Sequence, residues 1–209
     1  KDGADLVGAT AATYTVASTT FATAGSYSVR LAGTQGTLTS APARVTVEPL
    51  AAGRLINLSV RTTAGTEGQT LIVGFNLAGG AAKPLLIRGI GPALGQFGVT
   101  GALTAPQLAL VDGNGASLGT NAGWGGDLAI STAAAQVGAF PLVDSASKDA
   151  ALLSVLAAGS YTAQITGAGA TGIALAEIYD ADPTPAGAQT LVALSRLTNL
   201  SARAQVGTG

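Results

Sequence analysis

The stretch Tyr161-Thr162-Ala163-Gln164-Ile165-Thr166-Gly167-Ala168-Gly169-Ala170-Thr171-Gly172-Ile173-Ala174-Leu175-Ala176-Glu177-Ile178-Tyr179 decides the fold class. Its glycines match Gly-x-Gly-x-x-Gly letter for letter, the fingerprint of nucleotide-binding α/β folds. That motif works only where a strand feeds a helix whose N-terminus meets pyrophosphate. Here residues 173–179 read as a second strand, and no acidic residue follows at the roughly 20-residue spacing that ribose recognition needs. The glycines therefore predict a hairpin turn between two paired strands, 161–166 and 173–179, of an all-β chain.

Outward from this pair, period-2 alternation and turn residues place further strands near 55–61, 70–77, 84–90, 107–111, 151–156 and 160–166. Asp112-Gly113-Asn114-Gly115 supplies residues that tolerate positive φ and predicts a hairpin turn. Residues 127–136 form the one plausible helix, with Asp127 as N-cap and an alanine run behind it. Seven strands with one short helix predict an antiparallel β-sandwich, jelly-roll-like in its layering.

The N-terminal part differs in pattern. Residues 13–16, 26–31 and 43–47 read as short strands, with Tyr27, Val29 and Leu31 alternating against Ser26, Ser28 and Arg30. The domain plan is then a partial module at 1–47, a linker at 48–53 and a sandwich at 54–182. A proline-bearing linker at 183–194 and a last segment at 195–209 follow.

That last segment is a repeat. Arg54-Leu55-Ile56-Asn57-Leu58-Ser59-Val60-Arg61 returns as Arg196-Leu197-Thr198-Asn199-Leu200-Ser201-Ala202-Arg203. In the first copy Ile56, Leu58 and Val60 share one face; in the second the same face carries Thr198, Leu200 and Ala202. A single strand has no second layer to bury itself against. The segment is expected either to open a further repeat or to donate a strand to the open sheet edge of a neighbouring copy.

Only 10% of the residues are charged, against about 25% in an average globular chain, and the net charge is −1. No basic face for nucleic acid is evident, and little repulsion separates copies. Cysteine, histidine and methionine are absent, which removes disulfides, thiolate or imidazole metal sites and Ser-His or Cys-His nucleophile pairs. No run reaches the roughly 18 apolar residues of a membrane span. No secretory leader opens the chain, which begins inside a recognisable pattern, so a longer parent is expected.

Lys1-Asp2-Gly3, Thr13-Tyr14-Thr15-Val16 and Ala24-Gly25-Ser26-Tyr27-Ser28-Val29 resemble the second half of a bacterial immunoglobulin-like domain. Val29 stands where that family usually has its second cysteine, and Thr23 replaces an acidic residue. From Arg54 onward the chain resembles a glycine-rich β-sandwich repeat of large secreted bacterial surface proteins. Leu86-Ile87-Arg88-Gly89-Ile90-Gly91-Pro92-Ala93-Leu94, Gln136-Val137-Gly138-Ala139-Phe140-Pro141-Leu142 and Gly159-Ser160-Tyr161-Thr162-Ala163-Gln164 carry that likeness. The last of these, with Glu177-Ile178-Tyr179-Asp180, is also similar to the pre-peptidase C-terminal sandwich of secreted hydrolases. The resemblance implies an extracellular location on a bacterial surface and brings no catalytic residues.

Few residues suggest site chemistry. Ser145-Ala146-Ser147-Lys148 fits Ser-x-x-Lys, but the two partner motifs of penicillin-binding enzymes are missing. Asp112, Asn114, Asp127, Asp144, Asp149, Asp180 and Asp182 are oxygen donors in loops; turn and cap roles are expected, with a structural calcium as the alternative. Trp124, in a glycine loop, is either a plug at one end of the core or a ligand contact for a sugar. Arg54, Arg61, Arg88, Arg196 and Arg203 are read either as solvent-facing charges, in part paired with Glu67, Glu177 and Asp180, or as residues of a seam between subunits. The sequence thus predicts a non-enzymatic structural unit of an extracellular filament, sheath or stalk. Its partners are expected to be identical subunits, with no cofactor. The alternative is a carbohydrate-binding accessory module with cell-surface glycans as partners.

Overall fold

A computed structural model describes residues 1–47, 55–66, 68–182 and 195–204. The linkers expected at 48–53 and 183–194, together with Arg54, Glu67 and the tail 205–209, lie outside the described residues. The chain divides between residues 52 and 53 into two compact units.

In the first unit, β1 (Gly25–Tyr27), β2 (Arg30–Gly33), β3 (Gly36–Thr39) and β4 (Ala43–Val45) form two small antiparallel pairs, β1 with β4 and β2 with β3. The single strand expected over 26–31 is therefore broken in two. Residues 13–16 form no strand; instead the Tyr14 ring lies 6.2 Å from that of Tyr27. The Tyr27 hydroxyl donates to the Thr23 carbonyl at 2.7 Å, the local arrangement of a tyrosine corner. None of residues 1–47 is buried.

The second unit is an all-β sandwich. Its strands are β5 (Asn57–Ala64), β6 (Leu71–Ala78), β7 (Lys83–Ile90), β8 (Pro106–Asp112), β9 (Ser117–Asn121), β10 (Ala150–Leu156), β11 (Gly159–Gly167), β12 (Gly172–Asp180) and β13 (Arg196–Arg203). One sheet runs β10-β7-β12-β5 and the other β13-β6-β11-β8-β9, with every ladder antiparallel. Leu71, Val73, Phe75 and Leu77 of β6 meet Leu85, Ile87, Ala176 and Ile178 of the opposing sheet in the main core. The Phe75 and Tyr161 rings stack at 5.5 Å, neighbours across the β6–β11 ladder.

The turn at 167–172 is not a hairpin. β11 and β12 lie in different sheets, so the glycine segment carries the chain from one layer to the other. Its backbone is held sideways: Gly167 N–H donates to Gly65 O at 3.1 Å, and Ala168 N–H to Ala105 O at 3.1 Å. A Cβ at Gly172 would stand 2.6 Å from the Leu103 nitrogen, so only glycine admits the neighbouring loop there. The turn at 112–115 is the expected hairpin, with β8 and β9 paired across it.

β7 and β12 are covered on both faces, which explains their nearly continuous burial. Inside they face the other sheet. Outside, α1 (Leu128–Gln136) packs Ile130, Ala133 and Ala134 with Trp124, Leu86 and Tyr179 in a second apolar cluster. Asp127 caps α1, its Oδ1 accepting from Ala129 N–H at 2.7 Å. Among the described residues no helix is long and apolar enough to cross a membrane.

Candidate functional site

The sequence leaves the repeated strand without a partner in its own chain, and here the structure differs. β13 pairs antiparallel with β6, Leu197 against Leu77, Leu200 against Phe75, and Arg203 against Ile72. The reason is physical. Without β13, the outer edge of β6 would present a row of unpaired backbone groups beside an apolar interior.

The fit involves Gly74 of β6 and Gly79 just past its end. A Cβ on Gly79 would lie 2.6 Å from the Ser195 Cα, and one on Gly74 would lie 2.9 Å from the Ser201 Oγ. Ser195 also donates its hydroxyl to the Ala81 carbonyl. The strand is thus received closely at both ends.

A β-bulge between Leu197 and Asn199 changes which residues point inward. The expected inward set was Thr198, Leu200 and Ala202. Leu200 packs on the core as expected, but Leu197, only 3% exposed, enters it in place of Thr198, with Ala204 packing beside it, and Thr198 and Ala202 are exposed. Asn199, Ser201, Arg196 and Arg203 are exposed as well.

In the first copy Leu58 and Val60 pack on the core while Asn57, Ser59 and Arg61 face outward, as the alternation predicts. Ile56 does not join them; it is exposed. Leu55 forms an antiparallel bridge with Leu197. The two copies therefore stand side by side, β5 ending one sheet and β13 ending the other.

Two ionic groups are buried, where the sequence offers Glu177 and Asp180 as partners of arginines that face solvent or a seam. On the outer face of β7 and β12, the Arg88 guanidinium is fully buried, and its Nε donates to Glu177 Oε2 at 2.8 Å and its Nη1 to the Phe140 carbonyl at 2.7 Å. Nη2 also donates to Glu177. The Phe140 ring lies 4.3 Å from the guanidinium carbon, a cation–π contact. Tyr179 donates its hydroxyl to Glu177 Oε1 at 2.8 Å. Burial first, then the carboxylate of Glu177, holds the Tyr179 phenol above its ordinary pKa. Arg88 is thus a buried charge paired with Glu177. Its sequence signal was a lone cation inside the apolar run 85–90, matched by a lone anion inside 174–179.

The second group, on the inner face, joins Lys83 at the start of β7 to Asp180 at the end of β12, with Asp182 beside them.

Trp124 is buried, 7% exposed, and its indole N–H donates to the Asp144 carbonyl at 2.8 Å. It plugs the space beside α1 and presents no ring for a sugar to stack on. It lines a cavity of about 230 Å³ whose other walls include Arg88, Ile130, Ala134 and Leu142. The loop carboxylates act as turn and cap acceptors. Asp112 takes the N–H groups of Asn114 and Ala116, Asp144 that of Ala146, and Asp149 those of Gly91 and Ala93. Among the described residues no three His, Cys, Asp or Glu side chains converge as metal ligands. Ser145 lies in an exposed loop before β10. Compared with known proteins, the chain matches no protein-family model, and no curated protein shows significant similarity to it.

Proposed function

We propose that this chain is a structural unit of an extracellular bacterial filament, sheath or stalk. Copies associate by exchanging the strand Arg196–Arg203. The observation that carries this reading is the placement of two near-identical strands at adjoining sheet edges, bridged at Leu55 and Leu197. A strand that fills the β6 edge of its own chain fills the same edge of an identical chain with the same contacts, so exchange costs little.

The tether suits this. Residues 181–195 separate β12 from β13, and the stretch 183–194 alone, fully extended, reaches roughly 40 Å, enough to cross to an adjacent copy. Exchange between one donor strand and one acceptor edge per copy is a heterologous contact, which propagates into an open polymer unless the rotation closes a ring. The low charge of the chain favours such contact. The extracellular setting rests on the resemblance to secreted surface repeats.

Truncation tests it. Assemblies of the full chain, imaged by negative stain, should be lost when residues 195–209 are deleted. Assemblies that persist unchanged in the truncated chain contradict strand exchange.

A further inference from the structure

We propose that Lys83 and Asp180 form a covalent cross-link, an amide between Lys83 Nζ and Asp180 Cγ made by the folded protein itself. Both side chains are withdrawn from water, 1% and 0% exposed. The Lys83 nitrogen lies 2.9 Å and 3.0 Å from the two Asp180 oxygens, so amine and carboxyl carbon are held together at the inner face of the sandwich. Fixed juxtaposition of two reacting groups is the main requirement of such a condensation.

The surroundings supply the rest. Asp182 Oδ2 stands 3.1 Å from the same Lys83 nitrogen, placed to take up a proton. The Asp182 backbone N–H donates to Asp180 Oδ1 at 3.1 Å, where negative charge would gather on addition to the carboxyl. The Asp182 side chain is 31% exposed, which gives a released water a way out.

The step balances without any co-reactant. The ammonium of Lys83 passes a proton to the Asp180 carboxylate, leaving an amine and a carboxylic acid. A turn of the carboxyl about its Cβ–Cγ bond presents its face, the nitrogen lone pair attacks Cγ, and the carbonyl electron pair moves onto Oδ1. Asp182 takes a proton from the nitrogen and delivers it to the Oδ2 hydroxyl, which leaves as water as the carbonyl re-forms. One C–N bond is made, one C–O bond is broken, and Asp182 is regenerated. The condensation also removes a buried ion pair, whose desolvation is costly.

The bond would join residues 97 positions apart across the two central strands of one sheet. It would clamp the end of the sandwich where β13 enters, and it holds whether or not strands exchange.

The test is the intact mass of the purified chain under denaturing conditions. The wild-type chain is expected to be lighter than its sequence by one water, with tandem mass spectrometry locating a branched peptide joining Lys83 and Asp180. Lys83→Arg and Asp180→Ala should each run at full sequence mass. Freshly made Asp182→Asn should show two masses, the heavier converting slowly to the lighter. A folded wild-type chain that keeps its full mass after prolonged incubation overturns the proposal. So does a water loss that persists in Lys83→Arg, which would mark dehydration elsewhere, as at Asp112-Gly113. Conversion of Asp182→Asn at the wild-type rate overturns the proton relay.

Discussion

Leu55 and Leu197, which hold the same place in the two copies of the repeated stretch, meet in an antiparallel bridge. Their environments differ. Leu197 is 3% exposed and Leu55 is 41% exposed, so the second copy is anchored in the core more firmly at this point than the first.

That difference makes Leu197 the residue to truncate. Leu197→Ala should destabilise the second unit by about 2–5 kcal/mol, while Leu55→Ala should cost well under half of that. Denaturant unfolding of the two variants checks the order.

Docking of β13 should be separable from the rest of the fold. Gly79 adopts φ +130°, and an added methyl meets the Ser195 backbone, so Gly79→Ala suffers both strain and a clash. Overpacking of this kind costs about 1–3 kcal/mol. Hydrogen exchange should show faster exchange across 196–203, with β11 and β12 still protected. Uniform loss of protection across the unit would show that β13 is not an independent element.

Arg88 and Glu177 should behave as one unit. Arg88→Met alone leaves a buried carboxylate and should cost about 3–5 kcal/mol. Arg88→Met with Glu177→Leu removes both charges and should recover much of that loss. A double-mutant cycle by chemical denaturation measures the coupling; simple additivity would contradict the pairing.

Tyr179 gives a pH signature. Its phenol is held above the ordinary value of 10.0 by burial and then by Glu177, so the native state favours the protonated form. The stability this confers is fully present below that pH and is lost as pH rises through the raised value. The advantage of the wild type over Tyr179→Phe should therefore be constant from neutral pH to about pH 9 and shrink above about pH 10. An advantage that does not change with alkaline pH would contradict it.

Much of the sandwich was legible in the chain. Every strand expected between residues 55 and 179 is present within a few positions, and Asp127 caps the helix where the sequence places it. Alternation reports which face of a strand is buried, and that signal is local. It does not report which sheet the strand joins, so a crossing at 167–172 and a hairpin look alike until Gly65 and Ala105 are seen holding the turn. β9 was missed because only Leu118 among its five residues is a large apolar side chain, and that side chain is exposed. The bulge at Leu197–Asn199 put Leu197 inside in place of Thr198 while leaving Leu200 on the expected face, which no alternation rule anticipates. The pairs Arg88–Glu177 and Lys83–Asp180 join residues about 90 or more positions apart, beyond any local pattern.

The strand-exchange account is tested most directly by introduced thiols, since the chain has no cysteine of its own. Ile72 and Arg203 lie directly opposite across the β6–β13 ladder, on the face turned away from the core. Chains carrying Ile72→Cys alone and chains carrying Arg203→Cys alone are mixed, concentrated and oxidised. The account predicts disulfide-linked heterodimers in large excess over homodimers. Heterodimers no more abundant than homodimers, with the double variant closing its disulfide within one chain at every concentration, would contradict it.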